Sequence, residues 1–189
     1  MMDDLNDKFD YIESIYGNSR VDDEKKVLQL LEDSEEMVRI QMIEACYAVR
    51  QENIHKALWK RLDRTIGLEK GYLLLTLSYI YKNQSDRIMN ILLAETKSTD
   101  QNERIDAYAG LVILGQDIYV NYIVDFFDSE NYRLRCAACN LLCEIISWDM
   151  LSEERISFVF DAVMRLSKKE KTNAVNSSIK TLINIINRQ

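Results

Sequence analysis

The sequence predicts an all-α protein built as an α-solenoid, in which helix pairs stack along one another in a single domain covering residues 1–189. Three observations predict this fold. The 189 residues contain no proline and only five glycines, so few positions force a helix to stop or a hairpin to turn. Apolar residues recur at the spacing of one helix face. A unit of two helices joined by a polar turn also repeats along the chain.

The repeat is clearest in two segments, VLQLLEDSEEMVRIQMIEACYAV and YIVDFFDSENYRLRCAACNLLCEI. Each has an apolar helix, a turn containing Asp-Ser, and a basic residue that opens a second apolar helix. Aligning four segments on that basic residue gives the anchors Arg39, Lys70, Arg104 and Arg135. Their separation is that of a two-helix repeat, about 30 to 40 residues.

Other columns of the alignment agree with these anchors. Positions three, six, seven and ten after the anchor fall on one face of a helix, and they are apolar or small in all four segments. The seventh position holds Cys46, Leu77, Leu111 and Leu142, and the tenth holds Val49, Ile80, Leu114 and Ile145. These columns predict the buried face of the second helix in each pair.

This pattern resembles HEAT repeats, which have an outer helix, a turn carrying Asp, and an inner helix that opens with Val-Arg. Val38-Arg39 and Leu134-Arg135 reproduce that opening best, and the second repeat departs from it, with Lys70 as the anchor. The resemblance implies a right-handed α-solenoid of about five HEAT-like helix pairs. It also implies a ladder between neighbouring repeats, formed by the anchors and by the turn residues Asp33, Asp100 and Asp128.

The elements follow in order along the chain. An extra N-terminal helix near residues 4–15, within a leading segment 1–20, ends at the glycine of Tyr16-Gly17-Asn18. Four clear repeats occupy residues 21–150, and residues 151–189 form a degenerate capping repeat. Outer helices are expected near 23–32, 53–65, 85–97, 117–127 and 152–167, and inner helices near 36–50, 68–82, 101–114, 131–147 and 171–187.

The charge is uneven and favours a protein partner. Residues 1–36 contain twelve acidic and four basic side chains within a chain whose net charge is −7. This acidity repels nucleic acid and anionic lipid and would attract a basic protein. Neither a membrane span nor a signal peptide is evident, so a cytoplasmic protein is expected. The cysteines lie in apolar helical runs, which indicates free thiols in a reducing compartment.

Signals for chemistry are weak, and we predict no enzyme activity, no cofactor and no metal. Cys136, Cys139 and Cys143 share a helical face, but one continuous helix cannot wrap thiolates around a tetrahedral ion, and we interpret them as buried structural thiols. His55 is the only histidine, without a nucleophile motif, and is expected to face solvent. The five isolated glycines form no phosphate-binding loop.

The favoured candidate site is the inner-helix face opposite the core columns, which would line the concave surface of a HEAT-like stack. Positions two, five and nine after the anchor mix aromatic, acidic and amide side chains. Tyrosines there offer stiff contact area with a polar tip. The predicted partner-binding residues are Gln41, Glu44, Tyr72, Leu75, Tyr79, Asp106, Asn140 and Glu144. A solvated face with incidental tyrosines is the alternative, and acid–base catalysis by Glu44, Asp106 and Glu144 is not favoured.

A second aromatic stripe is formed by Tyr119, Tyr122 and Phe126 on one edge of an outer helix. Packing between repeats accounts for this stripe without a binding role. The candidate binding surfaces are the concave face, this outer stripe and the acidic N-terminal end.

We expect a non-catalytic protein-binding module that engages its partner through the concave face and the acidic N-terminal end. One concrete hypothesis is an immunity protein that neutralises a basic bacterial nuclease toxin. The alternatives are a DNA glycosylase for alkylated bases and a bilin lyase, since both classes also look like helical-repeat folds. A glycosylase requires a basic concave face, whereas this face carries Glu44, Asp106 and Glu144.

Overall fold

A computed structural model of the chain describes residues 4–82 and 86–189, and in these ranges the protein is all-α, without a strand. The all-α part of the predicted fold class is confirmed. None of the helices in these ranges is both long and apolar enough to cross a membrane. The α-helices are α1 (Leu5–Glu13), α2 (Glu24–Leu30), α3 (Glu36–Ala45), α4 (Glu52–Leu62), α5 (Gly67–Ile80), α6 (Asp86–Glu95), α7 (Gln101–Ile113), α8 (Val120–Asp125), α9 (Tyr132–Ser147), α10 (Glu153–Lys169) and α11 (Asn173–Ile186).

The predicted boundaries agree with these helices to within a few residues, except in two places. The inner helix expected over 36–50 ends at Ala45 and continues as a 3₁₀ segment at Cys46–Ala48. The outer helix expected over 117–127 is a short α-helix between two 3₁₀ segments, Asp117–Tyr119 and Phe126–Asp128. The predicted start of helix 85–97 lies outside the described residues.

Short polar side chains begin many of the helices. Asp23 accepts a hydrogen bond from the Lys26 amide at the start of α2. Asn131 and Ser152 do the same at α9 and α10, where they accept from the second or third amide of the helix. These caps satisfy amide groups that have no partner inside the helix, which fixes where each helix begins.

The chain divides into two compact units, Met1–Tyr81 and Lys82–Gln189. In the first unit α3 contacts both α1 and α5, while α2 contacts α4. Each of α2 and α4 also contacts the helix that follows it. The first unit therefore has two rows of helices, with the extra N-terminal helix α1 in the row of α3 and α5.

The second unit has the same pattern of contacts. Here α7, α9 and α11 contact one another in sequence, and α8 contacts α10. Each of α6, α8 and α10 contacts the following helix. The division into two compact units leaves the single domain over residues 1–189 a prediction.

The predicted core columns are buried almost without exception. In the seventh column after the anchor all four residues are fully buried, and in the third column Met42, Leu73, Ala107 and Ala138 are also inaccessible. Ile80 is the exception in the tenth column, because it is half-buried at the end of α5. The face of each inner helix that the repeat alignment selects is the face that forms the core.

The anchor arginines all bind the turn that precedes their own helix. One guanidinium nitrogen donates to the backbone carbonyl six positions earlier, with N···O distances of 2.9 Å from Arg39 to Asp33, 3.3 Å from Arg104 to Ser98 and 2.7 Å from Arg135 to Ser129. The side chain of each of these turn residues accepts a hydrogen bond from the amide two positions later. A short polar residue six positions before the anchor therefore shapes the turn, whether it is Asp or Ser.

The predicted ladder uses different acidic residues from those expected. Arg39 binds Glu69 at 2.9 Å, and Arg135 binds Glu170 at 2.7 Å; both glutamates belong to the following helix pair. The aspartates proposed for the ladder have other roles. Asp33 pairs with Lys8, Asp128 pairs with Lys169, and Asp100 caps α7. The assignment of those three aspartates to the ladder was wrong, because Asp33 and Asp128 pair with lysines and Asp100 caps a helix, while Glu69 and Glu170 bind the anchor arginines.

Glu69 is the most deeply buried carboxylate in this arrangement, with 3% of its surface exposed. It accepts hydrogen bonds from both Arg39 and Arg61, and Arg61 also binds Glu32 on the opposite side. The pKa of Glu69 is lowered: burial opposes this, and the hydrogen bonds and charges of the two arginines outweigh it. This network joins α2, α3, α4 and α5 within the first unit.

Replacing Glu69 with glutamine should lower the free energy of unfolding by about 3 kcal/mol, because Arg39 would lose its ion-pair partner at a largely buried site and Arg61 would retain only Glu32. Urea unfolding followed by circular dichroism measures this change. Glu52→Gln is the matched control, since Glu52 forms an exposed pair with Lys56 on the same helix and should alter stability little. Equal effects of the two substitutions would contradict the structural role of Glu69.

Glu170 should make stability sensitive to acid. Its pKa is lowered from 4.5 to about 2, mainly by the hydrogen bond from Arg135, with help from the Thr172 and Lys171 amides. A lowered pKa in the folded state gives stability that is complete above pH 4.5 and is lost as the pH falls towards 2. Glu170→Gln should therefore be less stable at neutral pH and should flatten the pH dependence in that window. Thermal unfolding at a series of pH values tests this, and parallel curves for both proteins would refute it.

Candidate functional site

The predicted partner-binding residues of the first unit lie on two helices that contact each other. Gln41 and Glu44 are on α3, and Tyr72, Leu75 and Tyr79 are on α5. All five side chains are half-buried, so each belongs partly to the helix interface and partly to the surface. These five residues therefore lie on one row of helices.

Two further tyrosines join them. The Tyr16 hydroxyl hydrogen-bonds with the Glu44 carboxylate, and Tyr16 also lies near Tyr47 and Tyr72. The rings of Tyr47 and Tyr79 meet edge to face, with centroids 5.2 Å apart and an interplanar angle of 82°. We name Tyr16, Glu44, Tyr47, Tyr72 and Tyr79 the tyrosine–carboxylate cluster.

The end of α1 positions Tyr16 in this cluster. Ile12 and Ile15 are buried, which fixes α1 against the first unit. The chain then turns at Gly17, whose φ of +78° is a left-handed conformation that glycine adopts without strain. The Asn18 side chain donates to the Ser14 carbonyl at 2.7 Å and closes the turn. Tyr16, with 40% of its surface exposed, is thereby held beside α3.

The cluster is electrostatically negative around Tyr16. Burial raises the pKa of this tyrosine, and the negative charge of Glu44 and the hydrogen bond to it raise the pKa further. Tyr16 therefore keeps its proton at neutral pH and acts as a hydrogen-bond donor to the carboxylate. The arrangement combines four aromatic rings, hydroxyl groups and one carboxylate, a composition suited to a polar or cationic ligand.

The predicted residues of the second unit form a different environment. Asp106 on α7 and Glu144 on α9 are half-buried, and Asn140 is exposed. The pKa of Asp106 is raised to about 7, chiefly by burial and then by the negative charges of Glu144, Asp100 and Glu103. Asp106 therefore holds a proton over much of the range below neutral pH, unlike an ordinary surface aspartate.

The rings of the outer aromatic stripe pack against one another and against Tyr108 on α7, which was not assigned to the stripe. Tyr108 stacks on Tyr122 with centroids 5.0 Å apart and on Tyr119 at 6.0 Å, and Phe126 is 6.5 Å away. Tyr122 remains 46% exposed. These ring contacts within the second unit account for the stripe as packing.

Three of the four cysteines are shielded from solvent. Cys46, Cys139 and Cys143 are buried and Cys136 is half-buried; all four are free thiols. Burial raises the pKa of Cys46 and of Cys139 to about 12, which makes them poor nucleophiles. Across residues 4–82 and 86–189, no group of three or more His, Cys, Asp and Glu side chains could hold a metal ion.

His55 is not the solvent-facing residue that was expected. It is half-buried, one ring nitrogen lies 2.7 Å from the Val49 carbonyl oxygen, and its ring meets Tyr81 edge to face at 5.7 Å. The expectation was wrong because the start of α4 lies against the preceding turn and the end of α5. His55 therefore has a structural role in the first unit.

Sequence reasoning missed Tyr16 and Tyr47. Tyr16 lies outside the repeats, so no column of the alignment contains it. Tyr47 is eight positions after Arg39, between the core position seven and the outward position nine. The helix geometry also changes here, because α3 is followed by the 3₁₀ segment Cys46–Ala48. Tyr72 and Tyr79 lie two helical turns apart on the predicted face. The sequence signal that could have found Tyr16 and Tyr47 is the presence of further tyrosines in the neighbouring segments.

A scan against protein-family models finds no family that matches the chain. A search of curated proteins finds no matching protein either. The resemblance to HEAT repeats therefore rests on the residues and contacts of this chain alone.

Replacing Asp106 with asparagine should stabilise the protein at neutral and higher pH. Because the folded-state pKa of Asp106 is raised from 3.8 to about 7, the wild-type chain loses stability as the pH rises through this window. The asparagine side chain cannot ionise, so the difference in unfolding free energy should grow from pH 4 to about 7 and reach at least about 1 kcal/mol. Urea unfolding at several pH values measures it, and a difference that does not change with pH would contradict the assignment.

Proposed function

We propose that the chain is a HEAT-like α-solenoid that acts without catalysis, by binding another protein through the tyrosine–carboxylate cluster. The fold proposal is supported by the alternation of outer and inner helices and by the same two-row contacts in each unit. Arg39 and Arg135 also support it, because each binds a carbonyl of the turn before its own helix and a glutamate of the following helix pair. Repeat folds of this kind commonly work through extended binding surfaces.

The observation that carries the binding proposal is the tyrosine–carboxylate cluster, in which Tyr16 lies near Glu44, Tyr47 and Tyr72, and the ring of Tyr47 contacts that of Tyr79. Tyrosine combines a large rigid ring with a hydrogen-bonding tip, and for this reason it is enriched among residues that dominate binding energy. The half-buried rings lose little conformational freedom when a partner covers them. A basic partner is proposed because twelve of the first 36 residues are acidic. An immunity protein that neutralises a basic nuclease toxin is the most concrete form of this proposal.

Substituting Tyr72 and Tyr79 together with alanine should weaken partner binding by more than about 2 kcal/mol, roughly 30-fold, while helicity stays unchanged. The tagged chain is used to capture partners from the native host at low and high salt, and the captured protein is identified by mass spectrometry. Its affinity for wild-type and variant chains is then measured by calorimetry. A basic partner should also bind more weakly at high salt.

The control is Tyr122→Ala with Tyr132→Ala, which removes two tyrosines from the second unit that are 46% and 43% exposed and so less buried than Tyr72 and Tyr79. This control should leave the affinity unchanged. Loss of binding in the control alone would move the site to the second unit. Capture of nucleic acid in place of a protein would refute the proposal, and a base-excision assay would then test the glycosylase alternative.

A further inference from the structure

We propose that the tyrosine–carboxylate cluster recognises a positively charged arginine side chain of the partner protein. This inference rests on the proposed protein-binding function and specifies the chemistry of the group that enters the site. The cluster offers aromatic rings and one carboxylate on the same row of helices, which are the two kinds of group that bind a guanidinium. Arginine is the protein side chain that uses both at once.

The carboxylate supplies the charge. Glu44 is on α3 and half-buried, so a cation that pairs with it would be partly removed from water. A carboxylate has about four acceptor positions, and the Tyr16 hydroxyl uses one of them. The remaining positions can accept two parallel N–H groups from a guanidinium, a geometry that a lysine ammonium cannot reproduce.

The rings supply the second half of the recognition. The face of an aromatic ring carries negative potential, and a guanidinium stacks on it most favourably when both are partly desolvated. Tyr47 and Tyr79 are held at a fixed angle by their edge-to-face contact, and Tyr72 extends from the same helix as Tyr79. The orientation of Tyr47 and Tyr79 is therefore set before a ligand arrives, which lowers the entropic cost of binding.

The same unit contains an internal example of this chemistry. The Lys26 ammonium lies 3.6 Å from the ring centroid of Tyr11, which is on α1, the helix that leads into Tyr16. Asp22 and Asp23 act electrostatically on that ring as well. A tyrosine face with carboxylates nearby thus already holds a cation in the first unit. An anionic ligand would instead meet Glu44 and the acidic residues of the N-terminal segment.

The test is a titration of the full chain with acetyl-arginine N-methylamide, followed by NMR of carbon-13-labelled tyrosine rings. Signals of Tyr16, Tyr47, Tyr72 and Tyr79 are assigned with single Tyr→Phe variants. We expect saturable shifts confined to these four rings. Acetyl-citrulline N-methylamide has the same shape without the charge, and it should bind about tenfold more weakly.

The matched variants are Glu44→Gln and Glu52→Gln, which remove one negative charge each from the first unit. Glu44→Gln should weaken binding of the arginine probe about tenfold, and Glu52→Gln should leave it unchanged. Equal binding of arginine and citrulline, an unchanged affinity of Glu44→Gln, or no saturable shift would each overturn the proposal. The citrulline comparison uses only the wild-type chain, so it decides the question even if a variant unfolds.

The result is separable from the test of the proposed function. If Tyr72 and Tyr79 are required to capture a partner but the arginine probe does not bind, the partner uses other groups and the arginine inference is wrong. If the probe binds as expected and no partner protein is captured, the arginine site stands and the protein-binding function is refuted.

Discussion

The structure depends on the contacts of the arginine that opens an inner helix. Arg39 and Arg135 each donate to two carbonyls of the preceding turn and to a glutamate of the following helix pair. One side chain therefore fixes how its own pair turns and where the next pair lies. Because the glutamates are nearly inaccessible, the charges are held in place by several short hydrogen bonds, and sliding one helix along its neighbour would leave a buried charge unpaired.

This constraint also sets the candidate site. The bond from Arg39 to Glu69 joins the start of α3 to the start of α5, so it fixes the register of the two helices that carry Glu44, Tyr72 and Tyr79. Glu44 follows Arg39 by five residues and Tyr72 follows Glu69 by three, so both lie within about one and a half helical turns of this ion pair. Since α1 contacts α3 in the same row, its end adds Tyr16. The cluster is thus a consequence of the arrangement that holds the first unit together.

The sequence predicted most of the helices and the core because a regular spacing of apolar residues has few solutions. Met42, Leu73 and Leu142 are buried as their columns require. The ladder was assigned to the wrong acids, because aspartate and serine perform the same turn function and the alignment followed only aspartate. The glutamates that bind the arginines could not be found from spacing, since Glu69 is 30 residues after Arg39 and Glu170 is 35 after Arg135.

The site was predicted in part for a related reason. Periodicity selects the residues of one helix face, and it selected Glu44, Tyr72 and Tyr79, which are half-buried on the contacting helices α3 and α5. It gives no information on residues that approach from a segment outside the repeat, such as Tyr16, or where the helix geometry changes, as at Tyr47. Nor does periodicity distinguish the environments of Glu44 and Asp106, which are both on outward faces of inner helices. Those environments depend on the neighbours that tertiary contacts bring near each carboxylate.

That last distinction decides where a cationic group would bind. Asp106 is half-buried near Glu144, and its pKa of about 7 means that a proton competes for this carboxylate at neutral pH. The groups around Glu44 include the Tyr16 hydroxyl, which donates a hydrogen bond to the carboxylate and does not oppose its charge. The rings of Tyr47, Tyr72 and Tyr79 add surfaces that attract cations. We therefore infer that a positively charged side chain would bind beside Glu44 and these rings in the first unit, whereas beside Asp106 it would compete with a proton.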